Sequence, residues 1–395
     1  MEYTPAKLDV NLDAAGLVID VDSLYMGLSQ LVDQRAKRGI RYQLVTVLVL
    51  IVLAKLSGED RLSGIAEWVR YRAAILAEAL HWVKARVPHR TTYSRILAHA
   101  VDIQEFEQVT SQFFAQQANA GRSIVVSLDG KTLRGTIAAG QSQGLHLLAA
   151  FLADEGCVLM QVEVEGQENE VTAAPRVLRS LDLRGKVVTG DALLAQRHLS
   201  AQIVEAGGEY IWPVKENQPE LRRDITTLFE PEQCVKGFSP ALKDFRTAQS
   251  VEKGHGRIEQ RTITVSSELK GYLDWPYAEQ VFKLERHTQR VKEDKITHDL
   301  VYGVTSLTAE KAGAQQLLQW TRKHWQIENG LFYRRDETLR EDWCHLRMGQ
   351  AAHAMAIINN LVLGLLLRRG VQNVPQARRY YTAHLNEALQ LILRC

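Results

Sequence analysis

Ser123-Ile-Val-Val-Ser-Leu-Asp-Gly-Lys-Thr-Leu-Arg-Gly135 is the stretch on which the reading of this chain turns. Ile124, Val125, Val126 and Leu128 make a nearly unbroken apolar, β-branched run, the pattern of a strand buried on both faces. The run stops at Asp129, and Gly130 follows as a breaker. An acid at the end of a central strand has its Cα held rigidly, which suits a metal ligand. Taken alone, Asp129-Gly130 is an ordinary turn pair. Two further acids downstream change that reading.

Beyond this strand, Leu145–Leu152 and Val158–Val164 flank Asp154-Glu155-Gly156 and predict a hairpin. A helix over about Glu170–Leu181 comes next. The strand Lys186–Thr189 then ends at Gly190-Asp191-Ala192, again an acid at a strand end. A helix over Ala195–Ala206 leads into the strand Tyr210–Val214. Three antiparallel strands followed by alternating helix and strand predict an α/β fold with a mixed sheet. Charged, alternating segments such as Arg261-Thr-Ile-Thr-Val265 predict a β-rich insertion over about residues 216–299. Leu300–Thr305 returns to the core, and a long helix beginning near Thr308-Ala-Glu310 carries Glu328.

Upstream, residues 1–20 read as a loose leader and residues 24–118 as helical, with Ile65, Trp68, Val69 and Ile75, Leu76, Leu80 at three-and-four spacing. Pro88 interrupts that pattern, and Thr91-Thr92 offers a cap for the next helix. The expected organisation is a helical domain over 1–118 that reads as DNA-binding, an α/β domain over 119–350 and a helical segment over 351–395. A solvated helical bundle without a ligand is the plainer reading of the first of these.

The 395 residues are 46% apolar and 24% charged, as in an ordinary globular protein of two or three domains. A net charge of +2 does not by itself argue for nucleic acid. Its distribution says more: Arg35 to Arg95 holds 12 Lys/Arg against 4 Asp/Glu, and Leu365 to Cys395 holds 5 Arg against 1 Glu. Basic ends around a mixed centre suggest a polyanionic partner. The four cysteines are scattered with no CxxC pair, which argues against a zinc site and a disulfide framework and suits a reducing cytoplasm. The N-terminus lacks a signal pattern, and the apolar run Leu44–Ala54 falls short of the roughly 20 residues that span a bilayer. A soluble, cytoplasmic protein with no membrane partner is expected.

Three acids therefore stand out by position: Asp129 and Asp191 at strand ends and Glu328 on a late helix. Hard divalent cations such as magnesium prefer carboxylate oxygens. Two such ions about 3.5–4 Å apart stabilise attacking and leaving oxygens in phosphoryl transfer. Paired carboxylates also serve glycoside hydrolysis, but no aromatic-rich sugar cleft is evident and the basic ends favour phosphate.

The chain resembles the ISAs1-type insertion-sequence transposases, or H-repeat-associated proteins, of the DDE superfamily. The resemblance covers nearly the whole length. It is carried by Asp33-Gln-Arg35, Leu128-Asp-Gly-Lys-Thr-Leu-Arg-Gly135, Gly190-Asp191-Ala192 with Gln196, and Val214-Lys-Glu-Asn-Gln-Pro219. It continues through Gly254-His-Gly-Arg-Ile-Glu259 with Arg261, Tyr302-Gly-Val-Thr-Ser-Leu307 and His324-Trp-Gln-Ile-Glu-Asn329. After the last of these come Arg335-Asp336, Thr338, Glu341-Asp342 and Arg347. The resemblance implies an RNase H-like mixed-sheet core whose DDE acids and metal ligands are Asp129, Asp191 and Glu328, with a β-rich insertion before the last catalytic helix accounting for the 137-position separation of the last two. Phe332 stands where the family often has His, and Glu337 where it usually has Val.

Other residues carry paired readings. Lys131 and Arg134 hold a phosphate or form a solvated turn. Lys215, Asn217 and Gln218 contact DNA or form a surface loop. His255 and Arg257 tip a hairpin that enters DNA or simply turns. On an α-helix at about 100° per residue, His324 and Arg335 fall within about 60° of Glu328. Trp325 stacks on an unpaired base or packs in the core, and Asn329 joins the DNA-contacting set. Asp336, Glu341 and Asp342 read as structural ion-pair partners. The implied activity is cleavage at element ends and strand transfer on double-stranded DNA, with two Mg2+ ions (Mn2+ as a substitute), in a homodimer or larger complex on the nucleoid. A catalytically silent DNA-binding regulator and a nuclease of the same fold are the alternatives.

Overall fold

The computed structural model describes residues 20, 22–38, 40–80, 82, 86–116, 124–230, 243–254, 256–290 and 295–394. The expected leader, except Asp20, and His255 lie outside them. The chain divides into two compact units: residues 1–118 together with 338–395, and residues 119–337.

The first unit opens with α1 (Leu24–Ser29), α2 (Leu44–Leu56), α3 (Leu62–Tyr71), α4 (Ala73–Ala79), α5 (Arg90–His99) and α6 (Ile103–Gln116). Every residue of α2 is buried, because the apolar run Leu44–Ala54 has no polar face to turn to water. Among the described residues no helix is long and apolar enough to cross a membrane. The cap of α5 is His89 rather than the Thr91-Thr92 pair: its Nδ1 accepts the Thr91 N–H at 3.4 Å, since the helix already begins at Arg90. The Asp33-Gln-Arg35 motif is a clip in which Arg35 grips Asp33 at 2.5 Å and donates to the Tyr42 carbonyl at 2.8 Å.

The second unit contains β1 (Val125–Thr132), β2 (His146–Leu152), β3 (Cys157–Glu163), α7 (Glu170–Arg179), β4 (Val187–Thr189), α8 (Arg197–Glu205) and β5 (Glu209–Val214). Then follow α9 (Pro219–Phe229), β6 (Arg246–Gly254), β7 (Arg257–Ser266), β8 (Gln280–Arg290), β9 (Lys295–Thr305) and α10 (Ala314–His324). Among the described residues, the nine strands form one mixed sheet in the order β3-β2-β1-β4-β5-β9-β8-β7-β6. β1, β4 and β5 run parallel, and the other neighbouring pairs are antiparallel. The strands expected as an insertion thus extend the central sheet, because β9 pairs with β5 from Tyr302 to Thr305. α10 covers this part, burying Leu317 and Leu318 against Ile211, Ile263, Val265 and Phe282.

Two local expectations are corrected. β1 does not stop at Asp129: β2 keeps offering backbone partners, so Asp129 pairs with Ala149 and Gly130 with Leu148. The late helix begins at Ala314 rather than Thr308, because Thr308–Ala312 closes as a separate turn. It ends at His324, after which Ile327–Phe332 and Arg334–Thr338 wind as π-turns.

The chain returns to the first unit with α11 (Ala351–Leu367), α12 (Val374–Ala383) and α13 (Leu385–Leu393), which all touch α2. The segment expected to stand apart from residue 351 therefore belongs with the N-terminal helices. α11 is mostly apolar and is buried along almost its whole length, His353, Asn359 and Asn360 included, so it must be surrounded. A charged cluster ties the pieces together. The Lys55 ammonium lies 3.3 Å from Asp60, and Arg378 donates to Asp60 at 2.6 Å, to the Lys55 carbonyl at 2.9 Å and to the Thr338 carbonyl at 2.6 Å. Burial pushes the Lys55 pKa down, and the Asp60 charge opposes that shift. Removing Asp60 takes the shared anion from two cations in a dry interior. Asp60→Asn is therefore expected to cost about 3–5 kcal/mol in urea unfolding. Lys55→Met, which leaves Asp60 paired with Arg378, is expected to stay within about 1 kcal/mol of the parent.

Candidate active site

The register of β1 and β4 builds the site. Ser127 and Thr189 are direct partners in the parallel pair, and it ends with them. Asp129 and Asp191 lie two residues beyond each, so both acids emerge side by side past the carboxyl end of the β1–β4 pairing. The crevice outside the carboxyl ends of parallel strands is where ligands bind in open α/β sheets. The same pair of residues anchors the segment of the third acid. The Thr189 hydroxyl donates to the Ser127 hydroxyl at 3.3 Å, and Ser127 donates to the Lys323 carbonyl at 3.5 Å, near the end of α10. Lys323 also pairs with Asp154 in the β2–β3 turn at 2.6 Å.

Asp191 caps a short 3-10 turn, Ala192–Leu194, accepting N–H bonds from Leu193 at 2.9 Å and Leu194 at 3.2 Å. Gly190 permits the bend, since a Cβ there would meet the Leu194 side chain at 2.8 Å and the Trp212 ring at 3.0 Å. The loop after β5 braces the turn from outside. The Asn217 amide donates to the Ala192 carbonyl at 2.6 Å, and the Gln218 amide to the Ala195 carbonyl at 3.0 Å.

Charge is crowded here. Burial pushes the Asp129 carboxyl up to about 7, helped by the charges of Glu170, Asp191 and Glu328, while the Gly130 N–H opposes the shift. Burial also raises Asp191, the Leu194 and Leu193 N–H groups lower it, Glu170 raises it and Lys215 lowers it. Asp191 and Glu328 thus both lie within electrostatic reach of Asp129, and Glu170, at the start of α7, within reach of Asp129 and Asp191. The sequence reading missed Glu170; its one signal was an acid opening the helix after the first hairpin. Among the described residues, no three of His, Cys, Asp and Glu converge closely enough to hold one ion. The donor set, carboxylate oxygens under mutual repulsion, fits a hard divalent cation in chemistry and charge.

The other predicted residues separate into two groups. Arg134, Lys215, Arg257, Trp325 and Asn329 are exposed, and the Arg286 guanidinium sits 5.4 Å from the Trp325 ring centroid. Lys131 and Arg335 are buried and do not form an open phosphate-binding surface. Lys131 pairs with Asp336 at 2.6 Å and lies over the Phe332 ring. Arg335 is wholly buried, because π-turns take more residues per turn than an α-helix and break the spacing that aligned it with Glu328. Burial pushes His324 down to about 4, so its ring is neutral at pH 7.

Comparison with known proteins gives these features a family. The Transposase DDE domain model matches residues 120–365, and the model described as DDE_Tnp_1-associated matches residues 26–114. The chain is 27% identical to "Putative transposase YncI" of Escherichia coli O157:H7, over 94% of this chain and 95% of that one. It is 25% identical to "H repeat-associated putative transposase YhhI" of Escherichia coli strain K12, over 93% and 98%. A solved structure, of piggyBac transposase synaptic complex with hairpin DNA, is similar at 10% identity and a TM-score of 0.42, covering 94% of this chain and 79% of that one. At that level the last likeness carries no weight for fold or function. The family model spans well over half the chain and takes in all three acids, and on that ground the chain belongs to the DDE transposases.

Proposed function

We propose that this transposase uses Asp129, Asp191 and Glu328 to cut the phosphodiester at the ends of its element and to join the freed 3′-hydroxyl to target DNA. The observation that carries the reading is the matched position of Asp129 and Asp191 beyond Ser127 and Thr189, with the Glu328 charge acting on Asp129. The strand order β3-β2-β1-β4-β5 supports an RNase H-like core, with β6 to β9 as the family's insertion. Held by the three carboxylates, two Mg2+ ions, or Mn2+ in their place, would activate the attacking oxygen and neutralise charge on the phosphorane. The chain's own part is to present Asp129 and Asp191 just past the β1–β4 pairing and Glu328 on the turns after α10, and to keep Asp191 oriented through its two backbone N–H bonds. Lys215 and Arg134 are suited to hold the flanking phosphates. Trp325, with Arg286 against its ring, offers a stacking face for an unpaired base. The basic helices between Arg35 and Arg95 would hold the element end, and cutting two ends calls for at least a dimer in the cytoplasm, on the nucleoid.

Asp191→Asn keeps shape but removes one charge from the metal-holding set. Cleavage of a labelled element-end duplex in Mg2+ is expected to fall by about 10²–10³, while gel-shift binding of the same duplex survives, because the site repels phosphate less. Near-normal cleavage would refute the triad. Offering a pre-cut 3′ end to the parent enzyme separates a transposase, which joins it to target DNA, from a nuclease of the same fold.

The raised Asp129 carboxyl has a consequence for stability. The folded, metal-free protein keeps a proton that the unfolded chain releases near pH 4. Stability should therefore fall as pH rises from about 4 to about 7 and then level off, by at most about 4 kcal/mol. Asp129→Asn should flatten this slope in melts across that window. An unchanged slope would place the shifted group elsewhere.

A further inference from the structure

We propose that Glu170 is a fourth carboxylate of the catalytic centre, held toward Asp129 by His146 and Thr132 and sharing the grip on the divalent cation. The proposal rests on the reading of Asp129 as a metal ligand.

Glu170 occupies space that a side chain at Gly130 would fill. A Cβ there would meet the Glu170 Oε1 at 2.0 Å, its Cδ at 2.5 Å and the His146 Nε2 at 2.7 Å. Residues 129 and 130 point to opposite faces of a strand, but at Gly130 only bare backbone lies between the Glu170 carboxylate and the residue that carries Asp129. Glycine inside a strand weakens it and often marks a close approach. Here what approaches is an acid. Asp129 is also subject to the Glu170 charge more than to any other, and Asp191 is subject to it as well.

A chain of two hydrogen bonds orients this carboxylate. Thr132 and His146 are direct partners across β1 and β2. The Thr132 Oγ1 lies 2.7 Å from the His146 Nδ1, and the His146 Nε2 lies 3.0 Å from the Glu170 Oε1. With the Thr132 hydroxyl donating to Nδ1, the ring carries its proton on Nε2 and donates it to Glu170. Partners of this kind fix the direction of a metal-ligating carboxylate and are often worth 10–100-fold in metal affinity. The bland alternative is that Glu170 stabilises the N-terminus of α7. That end is already served, because Asn169 accepts the Thr172 N–H at 3.0 Å and the Thr172 hydroxyl accepts the Asn169 N–H at 3.0 Å. Setting a third acid beside Asp129 and Asp191 destabilises the metal-free fold, so helix capping alone does not account for it.

The test is calorimetric titration of the full chain with Mn2+ alone, without DNA, for the parent, Glu170→Gln, His146→Ala, the double variant and Asp129→Asn. Glu170→Gln should weaken Mn2+ binding at least about 10-fold while melting, metal-free, no lower than the parent. His146→Ala should weaken binding less, and should add nothing in the Glu170→Gln background, as expected of a residue acting only through Glu170. Should Glu170→Gln fail to fold, His146→Ala carries the test, since it leaves every carboxylate in place. Parent-like Mn2+ affinity in Glu170→Gln, with affinity lost in Asp129→Asn, would overturn the proposal and leave the triad standing. Parent-like affinity in Asp129→Asn would overturn the reading of Asp129, and Glu170's part with it.

Discussion

Like charges repel, and the site depends on a fold that holds several carboxylates together against that repulsion. At surface-like screening, two such charges about 4 Å apart cost on the order of 4 kcal/mol. The opposing force is not local to the acids. It comes from the dry strands on which they ride: Val125, Val126, Leu128, Val187 and Val188 are all essentially inaccessible to water. Each such side chain contributes roughly 1.5–3 kcal/mol on burial. The short parallel pairing of β1 with β4 converts this diffuse, non-directional stabilisation into a specific placement of Asp129 beside Asp191.

The surrounding structure limits how far those acids can relax apart. Ser127 links β1 to β4 through Thr189 and to the end of α10 through the Lys323 carbonyl. The loop after β5 ties down the turn that Asp191 caps. Glu328 sits differently, on π-turns that follow α10 and are anchored by the buried Ile327 and Leu331. π-turns are frequent at functional sites, and here they turn Arg335 into the interior while Glu328 stays at the surface. Two of the acids are thus set by rigid strands and the third by an irregular helix.

The apolar runs, the hairpin at Asp154-Glu155-Gly156 and the two acids that follow the apolar runs of β1 and β4 were legible in the sequence, because a strand buried on both faces needs unbroken apolar residues and turns need Gly and Asp. The helical character of both ends was legible for the same reason of periodicity. The sequence also offered Lys131 as a phosphate-holding cation, and helical spacing set Arg335 beside Glu328; for these two, both buried, it misled. Lys131 is instead drawn to Asp336, 205 positions away, and periodicity carries no information about a partner at that distance.

What the chain determined by itself, then, is the kind of most of its elements and the position of its own acids, since these follow from local propensity and burial pattern; the π-turns that carry Glu328 do not. Tertiary structure alone decided that β6 to β9 extend the central sheet, that residues 338–395 join the N-terminal helices, and that Glu170 comes to lie over Gly130. Each of those is a contact between segments distant in sequence. Nothing in either segment names the other; only the requirement that both bury their faces in one core brings them together.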